Sequence, residues 1–306
     1  MAKVSLSDSK WSGRKMPKTV LELLNSAGKK KSLQNILSKE GMPTSLVTDS
    51  NADFIAQHYS EYTSYVASKG GVIGSLGSVI EALSFIFSQS LAYENVTAFS
   101  AKFGCEVSVD GYVSKLFGLG ANNDLSVNTA NSVTITTDSN RLVLNFAGAT
   151  SAYSSTKTLS LLNGIIAGTS CRDLGNVNTN SMRGIVLSGS STTTSNAHTE
   201  LGHNLPTGNY AKHYVSSALT TIGDNATGDM GYSGLATIAK VGATAKLWKN
   251  GAVVATGGTQ MAYTLPNTYL FIANGNVANN KLYESWIIFS DSETIAANLS
   301  TYLNNS

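Results

Sequence analysis

Two cysteines in 306 residues, Cys105 and Cys171, lie far apart and outside any C-x-x-C spacing. That excludes a disulfide framework and a zinc ribbon, and leaves two free thiols. Charge is also scarce: Lys, Arg, Asp and Glu make up 13% of the chain, too little for a solvated helical bundle. No uninterrupted apolar run is long enough to span a bilayer, because the most apolar stretch, Val72 to Phe87, is broken by Glu81 and by several Gly and Ser. The opening residues, MAKVSLSDSKWSGRK, lack the apolar segment of a secretory signal. The expectation is a product made in the cytoplasm.

What is abundant is Gly, Ser, Thr and Asn, a composition that suits short strands joined by polar turns. The few charges are unevenly placed. Residues 1–40 hold nine Lys or Arg against three acids, a surplus of +6, while the other 266 residues are −4. Such asymmetry predicts different partners for the two parts.

Residues 1–48 read as a basic anchoring arm. Lys10, Trp11, Arg14 and Lys15 form its cationic, aromatic part, and Leu21 and Leu24 belong to an apolar helical face that starts after Pro17. That helix is expected to end at Gly28 and the Lys29–Lys31 run, with Ser32 capping a second short helix closed by Gly41 and Pro43. Residues 49–92 read as a helical connector. Phe54, Ile55, Tyr59, Tyr62, Tyr65 and Val66 recur at helical spacing, and Ile73, Leu76, Val79, Ile80, Leu83 and Phe87 recur every three or four residues.

From residue 93 the pattern alternates. Asp110-Gly111, Asp138-Ser-Asn and Asn250-Gly251 each separate two alternating segments, which predicts three hairpins. Tyr269 to Ala273 and Ser285 to Phe289 read as strands, and Ser290-Asp-Ser-Glu opens a final helix carrying Ile295, Leu299, Tyr302 and Leu303. Between 150 and 230 only Leu159–Ile166, Gly184–Leu187 and His213–Leu219 read as strands. The fold class expected is mainly β: an antiparallel β-sandwich over 93–306 with a helical N-terminal segment and a short C-terminal helix.

The stretch from Leu235 through Lys-Leu-Trp-Lys-Asn-Gly-Ala-Val-Val to Thr256 resembles the signature hairpin of laminin-G-like and concanavalin A-like domains. Residues 269–289, YLFIANGNVANNKLYESWIIF, are similar to that family's closing strands, and the helix after Phe289 is similar to one found in bacterial and phage versions. The resemblance implies a jelly-roll sandwich of the lectin and glucanase type. Joined to the missing export signal and the basic arm, it implies a phage virion protein, a fibre or decoration protein on capsid or tail. Its arm would bind a capsid or tail protein through residues 1–92, and a homo-oligomer, a trimer by preference, is expected. The alternative is a free-standing carbohydrate-binding or glycan-hydrolysing protein of the same superfamily.

Catalysis is not expected. Retaining and inverting glycosidases need two carboxylates a few ångströms apart, yet no E-x-D-x-x-E pattern occurs, and Glu106 with Asp110, or Glu284 alone, lack the alternation that puts two acids on one strand face. Neither Gly184–Gly189 nor the Gly-rich 70–77 stretch matches a nucleophile elbow or phosphate loop. His198, Glu200, His203 and His213 concentrate metal-ligating types, but Gly202 and Pro206 read as loop, so no metal is assigned. Nucleic acid is not expected as a partner either. Calcium, where sandwich loops offer Asx oxygens, would sit at Asn122-Asn123-Asp124 or at Asp224-Asn225 with Asp229. Glycan binding needs an exposed aromatic and amide side chains in loops; Tyr153, Tyr210, Tyr232, Asn274 and Asn276 are the candidates.

Overall fold

The computed structural model describes residues 24–121, 124–127, 132–146, 151–153, 163–172, 181–188, 197–204, 208–215, 218–224, 233–261, 269–274 and 280–305. Of the anchoring residues only Leu24 falls within them, half-buried beside Gly28; Lys10, Trp11, Arg14, Lys15 and Leu21 lie outside the described residues, as do Tyr232 and Asn276.

Four helices are present among the described residues: α1 Ser26–Lys39, α2 Ala52–Ser68, α3 Leu76–Ser88 and α4 Glu293–Asn305. The first corrects an expectation. No helix ends at Gly28, and Ser32 caps nothing; one helix starts at the N-cap Asn25, whose side chain accepts from the Gly28 N–H, and runs through the lysines. Cations near a helix N-terminus oppose its dipole. Here Lys29 Nζ reaches Asp53 at 2.8 Å and Lys30 Nζ reaches Asp49 at 3.0 Å, so acids from the start of α2 and the turn before it offset them. At the other end Gly41 takes φ +72°, the left-handed turn that stops the helix before Pro43. The expected helix through Ile73 is also shorter: Val72–Ile73 forms a strand, and Ser75 caps α3 by accepting from the Ser78 N–H at 3.0 Å.

The strands, in chain order, are β1 Val72–Ile73, β2 Val96–Ser100, β3 Gly104–Val107, β4 Val113–Phe117, β5 Leu119–Gly120, β6 Leu125–Val127 and β7 Val133–Asp138. They continue with β8 Arg141–Phe146, β9 Ser151–Tyr153, β10 Ile165–Arg172, β11 Ser181–Ser188, β12 Ala197–Asn204 and β13 Gly208–Val215. The set closes with β14 Ala218–Gly223, β15 Ser233–Ala239, β16 Thr244–Lys249, β17 Ala252–Thr259, β18 Tyr269–Asn274 and β19 Asn280–Ile288. Of the strand expected over 159–166, residues 159–162 lie outside the described residues and β10 begins at Ile165, and the one expected over 213–219 is two strands, β13 and β14. All pairings are antiparallel. They build a ten-stranded sheet, ordered β1-β3-β4-β6-β9-β18-β11-β12-β13-β14, and a nine-stranded sheet running β17-β16-β15-β10-β19-β2-β5 with the β7–β8 hairpin attached through β19.

The chain is thus an antiparallel β-sandwich with an N-terminal helical segment and a C-terminal helix, and the nine-stranded sheet is its middle layer. Alternation along each strand separates two cores. Phe99, Ala167, Leu235 and Ile287 face the ten-stranded sheet and meet Cys105, Leu116, Leu125, Ile185, Leu201 and Ala211. Val96, Ala98, Ile166, Ala236, Trp286 and Ile288 face the other way and pack with Leu33, Leu37, Ile55, Tyr62, Ile80 and Leu83 of α1–α3 and with Leu299 and Leu303 of α4. Strands covered on both faces lose alternation in sequence and read as continuous apolar or small-residue runs. β15 is buried at all seven positions.

Candidate functional site

The register of the ten-stranded sheet puts two of the glycan candidates, Tyr153 and Tyr210, at positions on the face turned away from the sandwich core. Leu125, Leu201 and Ala211 belong to that core, so their strand neighbours Ser126, Glu200, Tyr210 and Lys212 occupy positions on the opposite face. The register then runs Lys115 to Ser126, Ser126 to Tyr153, Tyr153 to Phe271, Phe271 to Val186, Val186 to Glu200 and Glu200 to Lys212. Residues paired directly across strands share a face. Tyr153 and Phe271 are thus neighbouring aromatic positions in the same row as the Glu200–Lys212 pair. In the adjacent row Tyr210 is opposite Gly202, and Arg183 is opposite Gly202 on its other side.

This placement revises the loop assignments. Tyr153 is on β9, Tyr210 on β13 and Asn274 on β18, and the His198 to His203 segment is β12 rather than loop. Ladder formation over eight residues won over the breaking tendency of Gly202, since Gly202 pairs in register with both Arg183 and Tyr210. Four strand spacings separate Tyr153 from Tyr210, roughly 19 Å. Both cannot stack on one sugar ring; a ligand touching both must be several rings long. Tyr210 is also only 2% exposed and Glu200 only 3% exposed, although both lie on the outer face. Neither is an exposed platform.

His213 lies on the inner face and is wholly buried. Thr237 Oγ1 donates to the Lys246 carbonyl at 2.7 Å. It therefore accepts from His213 Nε2, at 2.7 Å, and His213 Nδ1 is left to accept from Thr199 Oγ1 at 3.3 Å. Burial pulls this imidazole down to about 4, against a small opposing effect of Gln260. It is a neutral crosslink between the two sheets, not half of a metal pair. Among the described residues no group of three or more His, Cys, Asp or Glu is placed to hold a metal ion.

The acidic candidates are dispersed. Glu106 on β3 lies 3.6 Å from Lys115 on the ten-stranded sheet, and Asp110 is in the exposed turn after it. Glu284 is on the nine-stranded sheet, wholly buried under the helices, accepting from Lys102 Nζ at 2.8 Å and from Trp286 Nε1 at 2.9 Å. The structure does not bring Glu284 together with Glu106 or Asp110. Glu81 of α3 approaches this buried ion pair, and burial, with the charge of Glu284 added, raises its carboxyl above the usual range. At the two calcium candidates Asp224 has protein donors, while Asp124 has one on Oδ2 and a buried Oδ1 without a hydrogen-bond partner. Asp224 accepts from Asn209 N at 3.0 Å, Asn209 Nδ2 at 2.9 Å and Lys249 Nζ at 2.8 Å, and Asp124 accepts from the Tyr65 hydroxyl at 2.6 Å. Asn122, Asn123, Asn225 and Asp229 lie outside the described residues.

A cluster that sequence reasoning missed centres on Asp138. Tyr283 donates its hydroxyl to Asp138, Lys281 Nζ lies 3.1 Å away and Arg172 Nη1 3.5 Å away. Tyr283 is the extra residue of a β-bulge, because Ser170 pairs with Glu284 but Cys171 pairs with Leu282. A bulge re-aims the side chain it carries. Register shifts leave no trace in local sequence, so nothing in Lys281-Leu-Tyr-Glu284 signalled it.

No family model and no curated protein matches the sequence. Among solved structures the chain is similar to Trypanosoma rangeli sialidase, at 9% identity and a TM-score of 0.46, over 70% of this chain and 33% of that one. It is similar to the binding domain of Paraclostridial Mosquitocidal Protein 1, at 10% identity and a TM-score of 0.49, over 70% of this chain and 52% of that one. It is also similar to botulinum neurotoxin type C, in a structure whose subject is cell entry through two ganglioside molecules, at 9% identity and a TM-score of 0.44, over 67% and 51% of the two chains. The matched regions span between a third and about half of the length of these structures.

Proposed function

We propose that the chain is a non-enzymatic phage virion structural protein, attached to capsid or tail through its basic N-terminal segment, whose sandwich is displayed to bind a host-surface glycan. The observation that carries the binding part is the outer-face row of the ten-stranded sheet. It makes Tyr153 and Phe271 neighbouring aromatic positions, with Val186 next in the row before the buried Glu200. Aromatic faces stack on sugar rings, and that contact is the one this row offers to a carbohydrate. The virion part rests on the basic surplus of residues 1–40 and on the sequence resemblance.

A glycan array probed with the full chain, alongside Tyr153→Ala and Glu200→Gln variants, tests the binding part. The expected result is retention of an extended oligosaccharide by the wild type, weakened roughly tenfold or more by Tyr153→Ala, with no release of reducing sugar. Binding that ignores both substitutions removes this face from consideration. Electron microscopy of phage particles labelled with an antibody to the chain tests the virion part, and particles without label would overturn it.

A further inference from the structure

We infer that the chain pairs with a second copy of itself across the sandwich flank formed by β14 and β17. The two flanks of the sandwich are unlike. At one, the sheet paths end in β1 and β5, two residues each. Very short edge strands are a standard protection against unwanted pairing. At the other flank the terminal strands among the described residues are β14, six residues, and β17, eight residues.

Neither of these longer edges is protected by charge. Ala218-Leu-Thr-Thr-Ile-Gly223 and Ala252-Val-Val-Ala-Thr-Gly-Gly-Thr259 contain no Lys, Arg, Asp, Glu or Pro. Natural edges that must stay single carry at least one such residue or are covered. β14 pairs with β13 at six consecutive positions without a register shift, so its outer backbone groups present an even ladder, and Thr220 and Thr221 are exposed along it. β17 is bulged twice against β16 and offers apolar side chains instead of a straight ladder. The two strands are stacked, with Gly257 of β17 directly against Ile222 of β14.

Exposed apolar residues lie at both ends of this flank. Six large hydrophobic side chains are exposed among the described residues, and four of them, Val253 at 46%, Val254 at 38%, Met261 at 45% and Val241 at 36%, belong to β17 or to the base of its hairpin. A flank about 20–26 Å long and two sheets deep would bury roughly 400–500 Å² per copy, about 800–1,000 Å² in all, which is the size of a weak, concentration-dependent contact. An antiparallel strand paired with its own copy satisfies both edges by the same hydrogen bonds around a two-fold axis. The occupant is therefore a second copy, related by a two-fold, with β14 against β14 and the β17 valines packed beside it. This inference does not depend on the glycan reading.

Sedimentation of the full chain over a concentration series tests it, with the double variant Thr220→Lys, Val253→Lys as comparison and circular dichroism melting as the check on folding. The wild type is expected to shift from monomer to dimer with concentration, and the variant to melt like the wild type but dimerise at least tenfold more weakly. Hydrogen exchange adds an arm that needs no variant: amides of residues 219–223 should become slower to exchange as concentration rises. A wild type that stays monomeric, a trimer, or a dimer that survives the two lysines with unchanged exchange at β14 would each overturn the pairing.

Discussion

His213 makes the interior of the sandwich sensitive to acid. In the unfolded chain its imidazole titrates near 6.5, whereas in the fold it stays neutral down to about 4. Between those values the unfolded chain takes up a proton that the folded chain refuses, so stability is full above pH 6.5 and falls as pH drops towards 4. The loss amounts to about 3 kcal/mol. Urea unfolding at pH 7 and at pH 4.5 should show a drop of this order, and His213→Gln should remove most of the pH dependence while lowering stability at pH 7. A wild type whose midpoint is flat across that range would contradict the buried neutral imidazole. Glu40 carries a second residue-scale effect. Its carboxylate accepts from Ser75 Oγ at 2.6 Å, Leu76 N at 3.1 Å and Gly77 N at 3.0 Å, so the C-cap residue of α1 closes the N-terminus of α3. Because Glu40 is exposed, Glu40→Ala is expected to cost only about 1 kcal/mol, measurable as a lowered melting temperature with the far-ultraviolet spectrum unchanged.

Among the elements, α4 is seated by glycines. A Cβ on Gly234 would come within 1.9 Å of the Ser300 carbonyl and 2.5 Å of the Asn304 nitrogen, both helix backbone, whereas one on Gly168 would meet the mobile ends of the Leu299 and Leu303 side chains. Backbone cannot yield as a leucine methyl can. Gly234→Ala is therefore expected to destabilise by roughly 2–3 kcal/mol and Gly168→Ala by clearly less; equal midpoints for the two in urea would mean that α4 sits less tightly than the structure has it. These glycines also explain what the sequence conceals. The hairpins at Asp110-Gly111, Ser139-Asn140 and Asn250-Gly251 were legible because a turn needs specific chemistry, and Ser139, Asn140, Asn250 and Gly251 indeed take positive φ. β10 and β15 were harder to read, since strands buried on both faces need no polar side and use Gly168, Ser170 and Gly234 where helices press on them. In β12 and β13 the inner face itself carries Thr199 and His213, so apolar alternation fails where the hydrogen-bonded crosslink replaces it.

The described residues form three layers, and helices from both the arm and the connector lie in one of them. Leu33, Ile36 and Leu37 of α1 and Val47 beyond it are buried in the same core as Trp286 and Ile288 of the middle sheet. Sequence periodicity could show that these helices had an apolar face but not that the far side of a sandwich sheet receives it, because which surface meets which is a property of the assembled sheet. The consequence is a prediction about where the chain can be cut. A chain lacking residues 1–23 keeps all of the contacts described above and is the reference for a deeper cut. A chain lacking residues 1–48 loses three buried aliphatic side chains of α1 together with Val47 and the Glu40 cap. Truncating a single buried Leu costs about 2–5 kcal/mol, and a domain of this kind has only about 5–15 kcal/mol in all. The shorter body should therefore melt far lower, or expose enough of the Trp286 face to bind a hydrophobic dye at room temperature. Calorimetry and dye binding on the two truncations decide the matter, and two chains that melt alike would mean that α1 is an appendage of the sandwich and not part of its third layer.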